Sequence, residues 1–168
     1  MDANARPLKK ISEKIHRQPK RGGARNALFV QAAVEALPKE LEGLAAKVQV
    51  QFPWGSLLHS VATGEYEILR NLRRICCDNA WLEIIIGWDP TKDHTELKRL
   101  CLPDLSLDYF SAELLPRYRS AGFETIRLGL LSPSNWPSLY SSWAQRLRQN
   151  PARVLIHMLA QAMDMPAT

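Results

Sequence analysis

At 168 residues, 46% of them hydrophobic, the chain is long enough for one domain with its own core and is ordinary in composition for a globular protein. No apolar run approaches a membrane span, residues 1–25 are too basic for a signal peptide, and Cys76, Cys77 and Cys101 have neither paired nor metal-site spacing; together these exclude secreted, membrane and zinc-site classes and predict a cytoplasmic protein with reduced thiols. The net charge of +5 sits at the front, where Arg6, Lys9, Lys10, Lys14, Arg17, Lys20, Arg21 and Arg25 face only Asp2 and Glu13, so the rest of the chain is close to neutral. Such a front is either an electrostatic footprint for phosphate backbones or a solvated helix face.

In chain order, Asp2 to Arg17 is predicted as an amphipathic helix with Leu8, Ile11 and Ile15 on one side, stopped by Pro19-Lys20-Arg21-Gly22-Gly23. Ala27 to Val30 reads as a short buried strand, Ala32 to Ala36 as a turn, and Pro38 to Ala46 as a helix opened by its proline. Val48 to Phe52 is the next strand. It must end at Pro53-Trp54-Gly55, because proline has no amide proton for a ladder and glycine tolerates positive φ, which throws Trp54 past the carboxyl edge of the strand. Open α/β sheets bind ligands at that edge. An indole there can be core packing, an interface anchor or a stacking surface for a planar ligand.

Gly64 to Cys77 is predicted as a helix with Leu69, Leu72, Ile75 and Cys76 inward and Arg70, Arg73 and Arg74 outward. The run Trp81 to Trp88 (WLEIIIGW) reads as a parallel strand buried on both faces. Helices follow over Thr95 to Leu100 and Asp108 to Ser120, a strand over Phe123 to Leu131, a helix over Pro137 to Arg148 and a last strand over Arg153 to Leu159. Alternating strands and helices predict a mostly parallel sheet covered on both faces. A nucleotide-binding sheet of this kind normally begins with a strand and a glycine-rich turn, yet the chain opens on an acidic residue and a helix, and none of its eight glycines forms GxGxG. The expected fold is therefore α/β with its first strand missing. The scattered His16, His59, His94 and His157 make no metal motif.

The segments Asp2-Ala3-Asn4, Pro19 to Gly23, Ala33 to Pro38 (AVEALP), Phe52 to Leu58 (FPWGSLL) and Ser142 to Leu147 (SWAQRL) occur in the order of a known family. Through them the chain resembles the 16S rRNA (adenine-N1) methyltransferases of the kanamycin and apramycin resistance type, the NpmA/KamB-like enzymes. The resemblance implies a class I, Rossmann-like fold dependent on S-adenosylmethionine, a single domain over 1–168 with residues 1–25 as an RNA-docking helix and linker, and a first strand and glycine-rich loop that should precede Met1. It implies that Asp2 binds the cofactor ribose and that Ala33, Val34, Glu35, Ser56 and Ser141 line the cofactor pocket.

The same resemblance implies that Trp54 and Trp143 sandwich the target adenine at a site shaped by Phe52 and Pro53, with Trp81, Trp88 and Trp136 left to packing. Lys14, Arg17, Lys20, Arg21, Arg146 and Arg153 would bind RNA; Arg146 can also be read as a salt bridge on a helix face. The implied reaction is methylation of adenine 1408 at N1 in 16S rRNA of the 30S subunit, giving aminoglycoside resistance, by a monomer that binds neither DNA nor membrane. The alternatives are a non-catalytic RNA-binding remnant and a fragment that does not function. Attack by adenine N1 uses a ring lone pair and requires no general base, so the lack of a convincing acid or base beside Phe52-Pro53-Trp54 agrees with this chemistry.

Overall fold

The computed structural model describes residues 1–15, 17–21, 23–24, 26–131 and 152–164. The chain divides into two compact units, Met1–Leu41 and Glu42–Thr168.

In the first unit, α1 spans Ala5–Ile15. Its start is fixed locally: Asp2 Oδ1 accepts from Asn4 N at 2.8 Å, and Asn4 Oδ1 accepts from Arg6 N at 3.0 Å, which satisfies amides that the first helical turn leaves over. A single-turn 3-10 helix at Pro19–Arg21 follows. The strand expected over Ala27 to Val30 is absent. Only an isolated parallel bridge joins Asp2 to Gln31, flanked by Asp2 N to Val30 O at 3.3 Å and Ala32 N to Asp2 O at 3.1 Å. One residue of extended backbone cannot satisfy the amides of a four-residue strand, so no ladder propagates. The helix expected over Pro38 to Ala46 is likewise reduced, to a 3-10 turn at Lys39–Leu41, because Gly43 leaves the helical region at φ +66° and a strand begins two residues later.

The second unit is built on β1 (Ala45–Gln51), β2 (Cys76–Trp88), β3 (Phe123–Leu130) and β4 (Val154–Ala162), in the spatial order β1-β2-β4-β3. β1 and β2 are parallel, while β4 runs antiparallel to both β2 and β3. The expectation of a mostly parallel sheet therefore fails for the described strands. The last strand inserts between its two predecessors instead of adding to an edge, a long-range pairing that no local pattern encodes.

Between β1 and β2 the helix expected over Gly64 to Cys77 is α3 (Tyr66–Ile75), and an unpredicted helix, α2 (Gly55–Thr63), precedes it and ends where Gly64 takes φ +69° and donates its N–H to Ser60 O. That left-handed cap ends α2 at no steric cost to glycine. After β2 come α4 (His94–Arg99), then α5 (Leu107–Tyr109), a π-helical turn at Phe110–Leu114 and α6 (Leu115–Ser120), with Ser106 Oγ capping α5 by accepting from Tyr109 N at 3.2 Å.

One face of the sheet carries Val50, Leu82, Ile84, Ile86, Ile156, Met158 and Phe123, all buried, as strand alternation requires. Leu58, Val61, Leu69, Leu72, Phe110, Leu114 and Tyr118 of the helices complete the core. Each fully buried side chain of this size contributes roughly 1.5–3 kcal/mol. Tyr118 Oη donates to Val61 O at 2.9 Å and Tyr109 Oη to Ala62 O at 3.0 Å, so these phenols tie the helices together without leaving buried polar atoms unpaired.

Three further expectations change. Arg73, predicted outward, is buried, giving Nε and a terminal nitrogen to Met163 O and its other terminal nitrogen to Cys76 O. Trp81, expected as packing, is more than a third exposed, whereas Trp88 is buried as expected. Finally, β2 is not apolar on both faces: Glu83 points to the side opposite Leu82 and Ile84, beside Lys47, Gln49 and His157. Cys76, Cys77 and Cys101 are free thiols, and burial pushes Cys76 up to about 11, outside the reactive range. Among the described residues, no helix is long and apolar enough to cross a membrane. Pro137 to Arg148, Trp136, Ser141, Trp143 and Arg146 lie outside the described residues.

Candidate active site

The corner after β1 forms as proline and glycine dictate. Phe52 N donates to Ile85 O at 2.8 Å, the last rung shared with β2, and Phe52 then turns the chain at φ +52°. A left-handed conformation costs a residue with a Cβ on the order of 1–2 kcal/mol, so tertiary contacts must hold it. They are present. Gly87 of β2 faces the Phe52 ring, and a Cβ there would approach Phe52 Cδ1 to 3.1 Å and Leu155 Cδ2 to 2.5 Å. Only glycine lets β2, β4 and the ring come this close. Pro53 is buried beneath the turn, and Trp54, extended at φ −139°, stands at the N-cap position of α2 without a side-chain cap bond. Its indole is 48% exposed. Ser56 is exposed in the first turn of α2.

Arg153, just before β4, converges on the same glycine. It donates to Gly87 O at 2.9 Å and pairs with Asp93 Oδ2 at 3.4 Å, with its side chain only 14% exposed. Its Nε is buried and has no hydrogen-bond partner among the described residues. The loop after β2 is shaped to hold this cation. Asp93 Oδ2 also accepts from Asp89 N at 2.8 Å, and the fully buried Asp89 accepts through Oδ1 from Thr91 Oγ1 (2.7 Å), Thr91 N (3.0 Å) and Lys92 N (3.2 Å). Gly87, Asp89 and Asp93 escaped the sequence reading. The signal that could have found them is the Asp-Pro-Thr-Lys-Asp run after Trp88, two short carboxylates spaced to bond their own loop.

In the first unit, Asp2 is brought beside Gln31 and Ala32, directly ahead of Ala33 and the 3-10 turn Val34–Ala36. Val34 is buried there and Glu35 exposed. An open groove of about 640 Å³ is lined by Ala3, Asn4, Ala5, Arg6 and Gln31. The Asp2 carboxylate is exposed and one oxygen is anchored by Asn4 N, which leaves the other as an acceptor for a ribose hydroxyl; this segment fits the acidic, nucleoside-holding part of a cofactor site. Lys14, Arg17, Lys20 and Arg21 are all exposed. Among the described residues no group of three or more His, Cys, Asp or Glu side chains could hold a metal ion.

Residues 1–162 match a family model described as NpmA, 16S rRNA (adenine(1408)-N(1))-methyltransferase. The chain belongs to the NpmA family. A relative from Escherichia coli named 16S rRNA (adenine(1408)-N(1))-methyltransferase is 34% identical over 138 residues, which are 82% of this chain and 63% of that protein. The chain thus spans just under two thirds of that relative's length. Among solved structures, the aminoglycoside resistance methyltransferase NpmB1 superposes with a TM-score of 0.80 at 39% identity, covering 96% of this chain and 73% of that one. A variant of the 16S rRNA (adenine(1408)-N(1))-methyltransferase from Catenulisporales acidiphilia, solved with its cosubstrate S-adenosylmethionine, gives 0.84 at 29% identity, over 99% of this chain and 75% of that one.

Membership of the NpmA family bears out the α/β methyltransferase fold that the sequence predicts. The described part of this NpmA-family sheet brings Phe52 and Arg153 together at Gly87, with Pro53 and Trp54 following in the turn. It does not include Trp143, Ser141 or Arg146, so the expected pairing of the two indoles lies outside the described residues.

Proposed function

We propose that this chain belongs to an S-adenosylmethionine-dependent enzyme that methylates N1 of adenine 1408 in 16S rRNA of the 30S subunit and so confers aminoglycoside resistance, working as a monomer in the cytoplasm. The observation that carries this reading is the half-exposed indole of Trp54, which follows the turn at the carboxyl end of β1 where the Phe52 ring packs against Gly87. An exposed indole offers a platform for a flipped base, and stacking on one such face is worth about 1–3 kcal/mol, which offsets part of the cost of unstacking.

The bound cofactor supplies an electrophilic methyl group on sulfur. Adenine N1 keeps an in-plane lone pair and carries no proton to remove, so the task left to the protein is to orient the base and exclude water. The carboxylates of the neighbouring loop suit that division of labour. Asp89 and Asp93 are committed to backbone amides and to Arg153, and neither stands free as a base. Within the first unit, Asp2 with Ala33, Val34 and Glu35 would hold the cofactor. Trp54 and Trp143, supported by Phe52 and Pro53, would hold the base, and Lys14, Arg17, Lys20, Arg21 and Arg146 would contact the RNA; Arg153, expected among them, is shielded from solvent and committed to Asp93 and Gly87 O, so it would brace the corner instead.

The test is incubation with purified 30S subunits and labelled cofactor, followed by primer extension, since a methyl on N1 blocks Watson–Crick pairing and stops the polymerase. A stop at adenine 1408 is expected. Label at another nucleotide would overturn the substrate, and salt-sensitive binding to subunits without any label would select the non-catalytic RNA-binding alternative.

A further inference from the structure

The face of the sheet opposite the core carries a row of polar groups that the corner does not use. Lys47 Nζ and Gln49 Nε2 donate to Glu83 Oε2 at 2.8 and 2.6 Å, His157 Nε2 lies 3.0 Å from Glu83 Oε1, and Arg127 donates a terminal N–H to His157 Nδ1 at 3.2 Å. The row crosses all four strands. Burial pushes the Glu83 carboxyl up, but the hydrogen bonds from Lys47, Gln49 and His157 outweigh it and hold the group at about 2. An ionised acceptor requires the proton of a neutral imidazole on Nε2, which leaves the lone pair on Nδ1 for Arg127. His157 thereby orients the guanidinium without neutralising it.

That distinguishes Arg127 from its neighbours. Arg73, Arg74, Arg99, Arg117, Arg119 and Arg153 each have a carboxylate within ion-pair distance, whereas none among the described residues reaches Arg127. The strand is also shaped to aim it. β3 carries a bulge between Thr125 and Arg127, so Arg127 falls opposite Leu159 on the polar face. It borders a cavity of about 510 Å³ lined with Glu83, Gly129, Leu131 and His157, and nothing lies within 4 Å of where a Gly129 Cβ would stand. An exposed, uncompensated guanidinium, fixed from behind and opening onto a glycine floor, suits the oxygens of a phosphate, which match its planar fork.

We propose that this pocket between β3 and β4 is an additional phosphate subsite for the RNA backbone, with Arg127 as the ligand-binding group and the His157–Glu83 pair as the strut that positions it. The inference rests on the rRNA reading above. Its test compares the wild type with R127Q, R127K, R119Q and the double variant K20Q/R21Q, each checked for an unchanged melting transition, for binding to 30S subunits across a salt series. Removing the cation from one phosphate lowers the slope of log K against log salt by about 0.7–0.9. R127Q should show that reduction, R127K should restore the slope, and R119Q, already paired with Glu124, should leave it unchanged.

A wild-type slope in R127Q alongside a reduced one in K20Q/R21Q would overturn the subsite and leave the rRNA reading standing. Failure of the wild type to bind subunits would overturn both. In parallel, inorganic phosphate is titrated at constant ionic strength while the His157 imidazole resonances are followed. Shifts in the wild type that vanish in R127Q support the pocket. Shifts without any change of the RNA slope would make it a free-phosphate site and overturn the RNA assignment.

Discussion

Arg153 donates to the carbonyl oxygen of Gly87 at 2.9 Å, across 66 residues of chain, while the Phe52 ring occupies the space that a Gly87 side chain would need. One glycine therefore serves both the Phe52 corner and the Arg153 guanidinium. Gly87→Ala should destabilise the protein by about 1–3 kcal/mol, because the new methyl meets the Phe52 ring and the buried side chain of Leu155, which must repack in a filled core. Thermal or urea unfolding checks it. A companion fluorescence measurement should show the Trp54 environment altered, since the indole is two residues beyond the displaced ring.

Arg153 and Asp93 are both largely shielded from solvent, so removing one should strand the other. Either Arg153→Met or Asp93→Asn alone should cost about 2–4 kcal/mol, and the double variant less than the sum of the two, with a coupling of about 1–3 kcal/mol in a double-mutant cycle of urea unfolding. Additive single costs would show that the pair is not coupled.

Trp54 is half exposed, so its removal should separate function from stability. Trp54→Ala is expected to change the unfolding free energy by less than about 1 kcal/mol, in line with an exposed position. It should lower kcat/KM for 30S methylation by roughly 5- to 150-fold, the equivalent of losing one stacking face of about 1–3 kcal/mol. Trp54→Phe should recover most of that activity, because a benzene ring still offers a π face.

Glu83 links stability to pH. Its carboxyl is held at about 2 in the folded protein against an ordinary value of 4.5. A group depressed on folding stabilises the protein above its unfolded value, and that contribution is lost as pH falls through the folded one. Stability should therefore decline between about pH 4.5 and pH 2, by about 1–3 kcal/mol once screening is allowed for. Urea denaturation at a series of pH values should show this slope in the wild type and a flatter one in Glu83→Gln.

Among the described residues of the first unit, Lys14, Arg17, Lys20 and Arg21 lie on the surface. Replacing Lys14, Arg17, Lys20 and Arg21 together by glutamine should weaken binding to 30S subunits and reduce the salt slope by about 3, near 0.7–0.9 for each phosphate that is no longer neutralised. The melting transition should be almost unmoved, because all four side chains are exposed.

Short-range chemistry made part of this molecule legible. Pro53 and Gly55 fixed where β1 ends, the spacing of Leu69, Leu72 and Ile75 marked the buried side of α3, and Trp54 could be placed just past the end of β1 because a strand must stop where the ladder lacks an amide. Each depends on backbone geometry within a few residues. The resemblance of FPWGSLL and its companion segments supplied the family, which periodicity alone could not.

Tertiary structure decided what depends on partners far along the chain. Ala27 to Val30 had the composition of a strand but found only Asp2 beside it. Arg73 looked solvent-facing in its helix and is buried because Met163 and Cys76 offer carbonyls to its guanidinium. Glu83 broke an apolar run for a reason that appears only when His157 lies beside it, and Arg153 could be counted as a cation but not located against Gly87 and Asp93. The physical reason is common to all four: a local pattern records what a residue can do, whereas burial and charge compensation are set by which distant backbone arrives next to it.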